Sequence, residues 1–292
     1  MTDAKSRVAA LSFWNNADEP IPLDGGITNV NFTVKDGDDK FVVRVGDDIP
    51  QHHVMRFNER AASIAAYKAG LSPEVVHTEP GILVIRFIDG TTLTPEDVAK
   101  PEMLARIIPL LKTCHRDVPK FLTGPSLIFW VFHVLRDYAH TLRAGNTRHG
   151  DRLERLQEIA AELEHNVGAI DVVFGHNDLL AANFIDDGKR LWLIDWDYAG
   201  FNSPLFDLAN LASNNEFLRD QEAWLLEQYF GTSPDACTWK RYGAMKCASL
   251  LRETMWSMVS EIHSDLDFDF ASYTAENLDR FEHTYSNYTH EK

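Results

Sequence analysis

The sequence predicts an α+β protein with two lobes, a small β-rich N-terminal lobe with one helix at residues 1–88 and a large, mainly helical C-terminal lobe at residues 89–292. Short runs rich in β-branched residues dominate the first 90 residues, whereas apolar residues at helical spacing dominate the rest. One short β-rich segment, residues 172–195, interrupts the helical part. We expect this segment to hold its loops rigidly and to carry the functional residues.

The small lobe is predicted to be a sheet with one inserted helix. Residues 21–35 and 40–46 contain two β-rich runs joined by the turn-forming residues KDGDD. A helical pattern follows at about residues 54–69 and ends at Gly70. Two more strand-like runs, VVHT and ILVIRFI, complete the lobe.

The large lobe is predicted from helical periodicity and from capping signals. Thr94, Ser203 and Ser233 each precede a proline, a pattern typical of the first turn of a helix. Long helical patterns cover about residues 101–117, 126–144, 150–166, 217–230, 235–263 and 271–288. The intervening strands are predicted at residues 172–175, 183–185 and 190–195.

Composition excludes several classes of function. The chain has 292 residues and a formal net charge of -16, which repels nucleic acid and anionic membranes and suits a cationic substrate. No apolar run approaches the roughly 18 residues of a membrane span, so we expect no membrane insertion and a cytoplasmic location. The three cysteines show no metal-binding spacing.

A set of acid and amide side chains within the β-rich segment points to phosphoryl transfer. His176, Asp178 and Asn183 follow the spacing H-x-D-x-x-x-x-N, and Asp195 ends the next apolar strand. Phosphoryl transfer needs a carboxylate near the attacking hydroxyl and oxygen ligands for Mg²⁺ on the phosphates. We therefore predict Asp178 as the catalytic base and Asn183 and Asp195 as metal ligands, with His176 orienting the loop by hydrogen bonding.

A second H-x-D triplet lacks the rest of this pattern. His115, Arg116 and Asp117 spell H-R-D, but the residue five positions after Asp117 is Leu122, which is no metal ligand. No apolar strand ending in an acid follows at a suitable distance. We interpret this triplet as a helix end on the surface.

The small lobe is expected to hold the phosphates of a nucleotide. Gly25 and Gly26 let backbone amides approach phosphate oxygens, and Thr28 and Asn29 follow them before a strand. Neither G-x-x-x-x-G-K-[ST] nor G-x-G-x-x-G occurs, which excludes a P-loop and a Rossmann site.

Arg44 is the candidate phosphate-binding cation. It lies among apolar residues in FVVRV, and Glu59 on the following helix is placed to orient it. An arginine exposed on an edge strand is the alternative. Arginine keeps the charge of the lysine that typical kinases use, but with a planar donor geometry.

These motifs resemble the choline/ethanolamine kinase branch of the aminoglycoside-phosphotransferase-like kinases, which share the two-lobed protein-kinase fold. The resemblance covers about residues 20–290. Besides Arg44 and Glu59, it rests on four sequence runs: GGITNVNF (25–32), HNDLLAANF (176–184), LIDWDYAG (193–200) and FDLAN (206–210).

The resemblance implies ATP as donor and Mg²⁺ as the metal. It places adenine against the backbone near Arg86–Ile88, so that Phe87 and Ile88 join the nucleotide-binding residues. It also implies that Asp207 braces the catalytic loop. Asp197 stands where protein kinases have the glycine of their D-F-G triplet, and we place it among the substrate-contacting residues.

The acceptor pocket is expected on the C-terminal helices. Trp256 and Tyr273 resemble the positions from which choline kinases build aromatic walls around trimethylammonium, a cation that has no hydrogen to donate. Glu253 stands where eukaryotic choline kinases commonly have a second tryptophan, which leaves an incomplete cage and admits ethanolamine or another amine.

Alternatives remain open for both acceptor and activity. A kinase of this fold acting on an aminoglycoside, a sugar or a homoserine-like alcohol would also suit an acidic pocket. A pseudokinase is disfavoured because Asp178, Asn183 and Asp195 are all present. Protein-kinase activity is disfavoured because only a short segment separates Asp195 from Phe206 and no A-P-E motif follows. A homodimer is compatible with the sequence.

Overall fold

An antiparallel five-stranded sheet forms the N-terminal part of the molecule. The computed structural model describes residues 2–23, 29–264 and 266–290. The sheet follows a short helix, α1 (Thr2–Ala9), and has the order β1-β2-β3-β5-β4. Its strands are β1 (Ile21–Leu23), β2 (Val30–Asp36), β3 (Asp39–Val45), β4 (Val75–Glu79) and β5 (Ile82–Arg86).

Alternating burial explains how this sheet forms. Phe32 on β2 lies opposite Val43 on β3, and Val34 lies opposite Phe41, so one face of the strand pair is apolar. That face packs with Val8 of α1 in a hydrophobic cluster. The helix α1 was not predicted from the sequence.

Arg44 lies on the opposite face of β3 from these apolar side chains. Since β3 pairs with β2 on one side and β5 on the other, Arg44 lies in the interior of the sheet. The alternative of an edge-strand arginine is therefore wrong. The side chain faces helix α2 (Arg56–Lys68), which carries Glu59.

Helix α2 confirms the predicted helical segment, and its small apolar side chains explain its packing. Ala62, Ala65 and Ala66 are fully buried and belong to the large hydrophobic cluster of the C-terminal part. The chain leaves the helix at Gly70, whose φ of 80° is a left-handed conformation that favours glycine. Helix α2 thus connects the sheet to the rest of the molecule.

The C-terminal part is mainly helical, as predicted. Its helices are α3 (Pro95–Val98), α4 (Pro101–Asp117), α5 (Val131–Ala144), α6 (Leu153–Val167), α7 (Pro204–Asn214), α8 (Arg219–Phe230), α9 (Ala236–His263) and α10 (Phe270–His290). The 28-residue helix α9 packs against α5, α6, α7 and α10 and forms the centre of this part. Within the described residues, no helix is long and apolar enough to cross a bilayer.

Two of the three predicted helix caps are confirmed. Thr94 forms a reciprocal capping box with Asp97, and the Ser203 side chain accepts a hydrogen bond from the backbone N–H of Leu205. The cap predicted at Ser233 is wrong. Asp235 caps α9 instead, because its carboxylate accepts the N–H of Thr238 at 2.7 Å.

The β-rich segment within the helical part is confirmed. It contains β7 (Val173–Gly175), β8 (Phe184–Asp186) and β9 (Leu191–Leu193), of which β8 and β9 form an antiparallel hairpin. Two strands that were not predicted complete it: β6 (Thr91–Thr92) pairs with β8, and β10 (Gly200–Asn202) pairs with β7. The loops after β7 and β9 carry the predicted catalytic and metal-binding residues.

Candidate active site

The loop after β7 is held by one buried carboxylate. Asp207, in the first turn of α7, accepts the backbone N–H groups of His176 and Asn177, both at 2.8 Å. It also accepts a hydrogen bond from His115 Nε2 at 2.9 Å. Although burial favours a raised pKa, these hydrogen bonds, led by that of His115, lower the pKa of Asp207. Asp207 therefore lies where the resemblance places a residue that braces the loop.

This position of His115 corrects the interpretation of the H-R-D triplet. Arg116 is exposed and α4 ends at Asp117, as expected, but His115 is only 5% exposed. Its second ring nitrogen is 2.7 Å from the hydroxyl of Tyr229 on α8. The triplet supplies no catalytic acid, but its histidine supports the loop that carries Asp178.

His176 has an orienting position within the loop. It is fully buried, and its Nε2 donates to the backbone oxygen of Ile194 at 2.9 Å. Its ring packs edge-on against Trp196, with ring centroids 4.8 Å apart. The loop after β7 is thereby linked to the end of β9, as the predicted orienting role requires.

Asp178 is a partly buried carboxyl with a strongly shifted pKa. Its side chain is 17% exposed. Burial raises the pKa of Asp178 to about 8, and the positive charge of Arg252, with Nη1 at 3.8 Å from Oδ1, opposes this shift. A carboxyl with this pKa titrates near neutral pH and accepts a proton readily, as a catalytic base must.

The β8–β9 hairpin brings Asn183 and Asp195 together. The backbone N–H of Ile194 donates to the backbone oxygen of Asn183 at 2.9 Å, so that Asp195 follows directly beside it. Asn183 Nδ2 donates to the backbone oxygen of Asp178 at 2.8 Å, which leaves the Asn183 Oδ1 atom as the acceptor of that amide. Asp195 has a φ of 67°, a left-handed conformation that costs free energy in a non-glycine residue and is concentrated at functional sites.

Arg44 connects the sheet to this hairpin. Its Nη1 is 2.8 Å from Glu59 Oε1 and 2.9 Å from Asp197 Oδ1, and its Nη2 is 2.9 Å from Asp195 Oδ2. Burial favours a raised pKa for Asp195, but the charge and hydrogen bond of Arg44 lower it, so this carboxylate stays ionised. The predicted orientation of Arg44 by Glu59 matches these contacts.

Arg56 is a second cation in this cluster that the sequence reasoning missed. Its Nη1 is 2.6 Å from Glu59 Oε2 and 3.0 Å from Asp197 Oδ1. The available signal was its position three residues before Glu59, on the same face of α2. Two arginines therefore share the two carboxylates of Glu59 and Asp197.

Asp197 has less contact with the open site than the sequence suggested. The residue is 3% exposed, and its Oδ2 accepts a hydrogen bond from Asn29 Nδ2 at 3.0 Å. Burial and the neighbouring charge of Asp195 raise the pKa of Asp197 to about 7, against the opposing charges of Arg44 and Arg56. Its oxygens are engaged with the two arginines and Asn29, which leaves little of the side chain for a substrate.

Part of the predicted nucleotide-binding set lies outside the described residues, namely Gly25, Gly26 and Thr28. Asn29 is described and lies beside Asp197. At the predicted adenine position, the backbone N–H of Phe87 already donates to Lys40 O at 3.0 Å, and Lys40 Nζ lies over the Phe87 ring. A purine at this segment would have to pair with a neighbouring backbone group such as that of Ile88.

The predicted acceptor residues form one aromatic cluster. Trp256 is 4% exposed and donates its Nε1 hydrogen to the Tyr198 hydroxyl at 2.9 Å. Its ring lies 6.0 Å from that of Phe270 and 6.4 Å from that of Tyr273, measured between centroids. Phe268 packs on Tyr273 at 5.7 Å and is itself 43% exposed. The cluster therefore runs from the core to the surface.

Arg252 is the second functional candidate that the sequence reasoning missed. It lies on α9 beside Glu253, is 2% exposed, and stacks over the Tyr198 ring at 4.2 Å. Its Nη1 approaches both Asp178 and Glu253. A charged residue in a helix of apolar neighbours was the only signal in the sequence, and it did not reveal the distant partner Asp178.

The donor set of the predicted metal site suits Mg²⁺. Asn183 and Asp195 offer an amide and a carboxylate oxygen, the hard ligands that Mg²⁺ prefers. In the part of the chain that the structure describes, no group of three His, Cys, Asp or Glu side chains could hold a metal ion. Mg²⁺ commonly takes one or two protein ligands and completes its shell with phosphate oxygens and water.

Solved structures with the same architecture include kinases of small molecules. A choline/ethanolamine kinase family protein from Mesorhizobium loti is 27% identical, with a TM-score of 0.77 over 97% of this chain and 94% of that chain. Choline kinase LicA from Streptococcus pneumoniae, 21% identical, has a TM-score of 0.77 over 96% and 98% of the two chains. The aminoglycoside phosphotransferase APH(4)-Ia, solved with AMP-PNP and hygromycin B, is 16% identical and has a TM-score of 0.70 over 97% of each chain.

Fold and site together define a small-molecule phosphotransferase that acts on an alcohol group and has the two-lobed protein-kinase-like fold. The family model for choline/ethanolamine kinase matches residues 21–224. The chain belongs to the choline/ethanolamine kinase family.

Curated relatives match over most of the chain. Protein LicA of Haemophilus influenzae is 26% identical over 271 residues, covering 89% of this chain and 78% of LicA. The probable ethanolamine kinase of Arabidopsis thaliana is 27% identical over 303 residues, covering 89% of this chain and 79% of the relative. These relatives confirm the family resemblance inferred from the sequence motifs.

Proposed function

We propose that the protein transfers the γ-phosphoryl group of ATP, with Mg²⁺, to the hydroxyl of choline or ethanolamine. One observation carries this proposal. Asn183 Nδ2 donates to Asp178 O, and the backbone N–H of Ile194 donates to Asn183 O, so that a base and two oxygen ligands lie together. Phosphoryl transfer needs this combination.

The donor half of the mechanism follows from the cation and oxygen positions. Asn183 and Asp195 would hold Mg²⁺, which neutralises charge on the transferring phosphoryl group. Arg44, whose guanidinium lies 2.9 Å from Asp195, would bind phosphate oxygens beside this metal. Asn29 is the first described residue after the glycine pair Gly25–Gly26, where phosphates are expected, and it directly precedes β2.

The acceptor half follows from Asp178 and the aromatic cluster. Asp178 accepts the proton of the attacking hydroxyl, and its raised pKa favours that transfer. A cationic amine on the other end of the acceptor would lie against Trp256, Tyr273 and Glu253, since aromatic faces and carboxylates both attract ammonium groups. The relatives named as choline or ethanolamine kinases support such an acceptor.

An acceptor panel tests this proposal. The purified protein is supplied with ATP and Mg²⁺, and ADP release is measured with choline, ethanolamine, homoserine and kanamycin in parallel. We expect ADP release with choline or ethanolamine, and its loss when EDTA removes Mg²⁺. Kanamycin is included because a solved aminoglycoside phosphotransferase shares the fold. Turnover with kanamycin alone, or turnover that persists in EDTA, contradicts the proposal.

A further inference from the structure

Glu253 occupies a fixed position beside the catalytic base. It lies on α9, one turn before Trp256, so both side chains are on the same face of the helix. Its Oε1 accepts a hydrogen bond from the Tyr273 hydroxyl at 2.8 Å, and its Oε2 accepts one from Arg252 Nη1 at 2.9 Å. The side chain remains 20% exposed, so a small molecule can reach it.

This carboxylate keeps hydrogen-bonding capacity for a ligand. An ionised carboxylate offers about four acceptor positions on its two oxygens. The bonds from Tyr273 and Arg252 use one on each oxygen and fix the orientation of the group. A primary ammonium brings three N–H donors to such a site, whereas a quaternary ammonium brings none.

Arg252 couples Glu253 to the reaction centre. The same nitrogen, Nη1, is 2.9 Å from Glu253 and 3.8 Å from Asp178. The hydroxyl end and the ammonium end of an acceptor therefore need only a short carbon linker between them. Glu253 and Asp178 lie on either side of this guanidinium, so an ammonium bound at Glu253 lies close to two acidic side chains.

A histidine beside Trp256 adds no opposing positive charge. The ring of His52 lies 5.0 Å from that of Trp256, measured between centroids. Burial, followed by the charge of Arg252, lowers the pKa of His52 to about 3, so this imidazole is neutral at ordinary pH. The Trp256 face remains attractive to a cation from the pocket side.

We infer that Glu253 determines acceptor specificity by hydrogen-bonding the N–H groups of a primary ammonium, which makes a primary amino alcohol such as ethanolamine the preferred acceptor over choline. This inference rests on the proposed function and narrows its substrate class. The carboxylate of Glu253 offers acceptors to ammonium hydrogens, whereas the methyl groups of choline bring it no donors.

A methylation series tests the inference on the unmodified protein. Values of kcat/KM are measured with ethanolamine, N-methylethanolamine, N,N-dimethylethanolamine and choline, which keep the hydroxyl and the charge while N–H donors are removed. We expect kcat/KM to fall along the series and to be about 10–100-fold lower for choline than for ethanolamine, as the loss of charge-assisted hydrogen bonds predicts. Equal or better use of choline overturns the inference while the proposed function stands. Turnover with none of the four acceptors contradicts the proposed function itself.

Two variants assign the preference to Glu253. Glu253→Gln keeps the shape and removes the charge, so we expect it to lower kcat/KM for ethanolamine about 10–100-fold and to change choline use much less. Tyr273→Phe keeps the aromatic ring but removes the hydroxyl that orients Glu253. It should therefore also lower kcat/KM for ethanolamine more than kcat/KM for choline. Equal losses on ethanolamine and choline in both variants overturn the inference.

Glu261→Gln is the matched control, because Glu261 is a carboxylate on the same helix that pairs with Arg148 and His149. It should leave the order of the four acceptors unchanged. If Glu261→Gln changed the ratio of kcat/KM for ethanolamine to kcat/KM for choline as much as Glu253→Gln does, the assignment to Glu253 would be overturned.

Discussion

His115 and Asp207 form a buried hydrogen bond 2.9 Å long, although they lie 92 positions apart in the sequence. Through Asp207, the end of helix α4 is joined to the backbone of the loop that carries Asp178. The position of Asp178, the proposed catalytic base, therefore depends on a histidine from a triplet to which we assign no catalytic role.

Asp207→Asn should weaken both stability and turnover. The amide oxygen can accept at most two of the three hydrogen bonds and carries no charge, so we expect the free energy of unfolding to fall by about 2–3 kcal/mol. The loss of kcat should exceed any change in KM for ATP, because the loop moves while the cation cluster at Arg44 stays in place. Denaturant unfolding and steady-state kinetics measure the two effects. Wild-type kcat in a destabilised Asp207→Asn protein would show that this carboxylate does not position the base.

Asp178→Asn should bind nucleotide normally and turn over slowly. Removal of a general base costs typically about 10²–10⁴-fold in rate, and the substitution preserves the size of the side chain. Isothermal titration with a non-hydrolysable ATP analogue and measurement of kcat separate binding from chemistry. Asp171→Asn, an exposed change just before β7, is the matched control and should behave as wild type. Undiminished kcat in Asp178→Asn would exclude its role as base.

The pH dependence of the rate should report the titration of Asp178. Burial raises its pKa to about 8, and the base works only when deprotonated, so kcat/KM should rise with pH across the range from about 6 to 9. The measurement is kcat/KM for the amino alcohol in overlapping buffers of constant ionic strength. A profile that is flat from pH 6 to pH 9 would contradict a base with a raised pKa.

The raised pKa of Asp178 also predicts that the difference in stability between wild type and Asp178→Asn depends on pH. Since the folded-state pKa of Asp178 lies above its unfolded value, the protonated carboxyl contributes stability at low pH, and this contribution is lost as pH rises through about 8. Asp178→Asn has no such titration. We therefore expect its free energy of unfolding, relative to wild type, to increase between pH 5 and pH 9. A constant difference in urea unfolding across that range would argue against the raised pKa.

Asp195→Asn should weaken nucleotide binding only when Mg²⁺ is present. The change removes the charge of a predicted metal ligand, and we expect the Kd for Mg-ATP to rise about 10–100-fold. Binding of ATP in EDTA should change much less. Titrations with and without Mg²⁺ distinguish these cases, with Asp171→Asn again as the control. Equal weakening under both conditions would indicate that Asp195 acts through Arg44 alone.

Sequence patterns predicted what is local and missed what depends on distant packing. The long helices, the main strands and the β8–β9 hairpin carry periodic or turn signals over several residues, and these elements are confirmed. Strands β6 and β10 were missed because each forms only by pairing with a segment distant in sequence, β6 with β8 and β10 with β7.

The same distinction applies to the site. Asp178, Asn183 and Asp195 lie within 18 residues, and one hairpin brings them together, so spacing alone was informative. Arg252 reaches Asp178 from a helix 74 positions away, and no local pattern encodes that contact. His115 was wrongly predicted to lie on the surface. Its burial depends on Tyr229 of α8 and Asp207 of α7, and neither residue belongs to the sequence pattern of α4.

The position of Arg252, Glu253 and Trp256 on a single turn of α9 has an evolutionary consequence. The residues proposed to bind the phosphoryl donor lie in the sheet, in α2 and in the β8–β9 hairpin. The residues proposed to select the acceptor lie on a single turn of α9. Mutation at Glu253 and Trp256 can therefore explore new acceptors while Arg252 keeps its contact with Asp178. A scaffold divided in this way is well suited to divergence, and directed evolution of new substrate ranges should begin with this single helical turn.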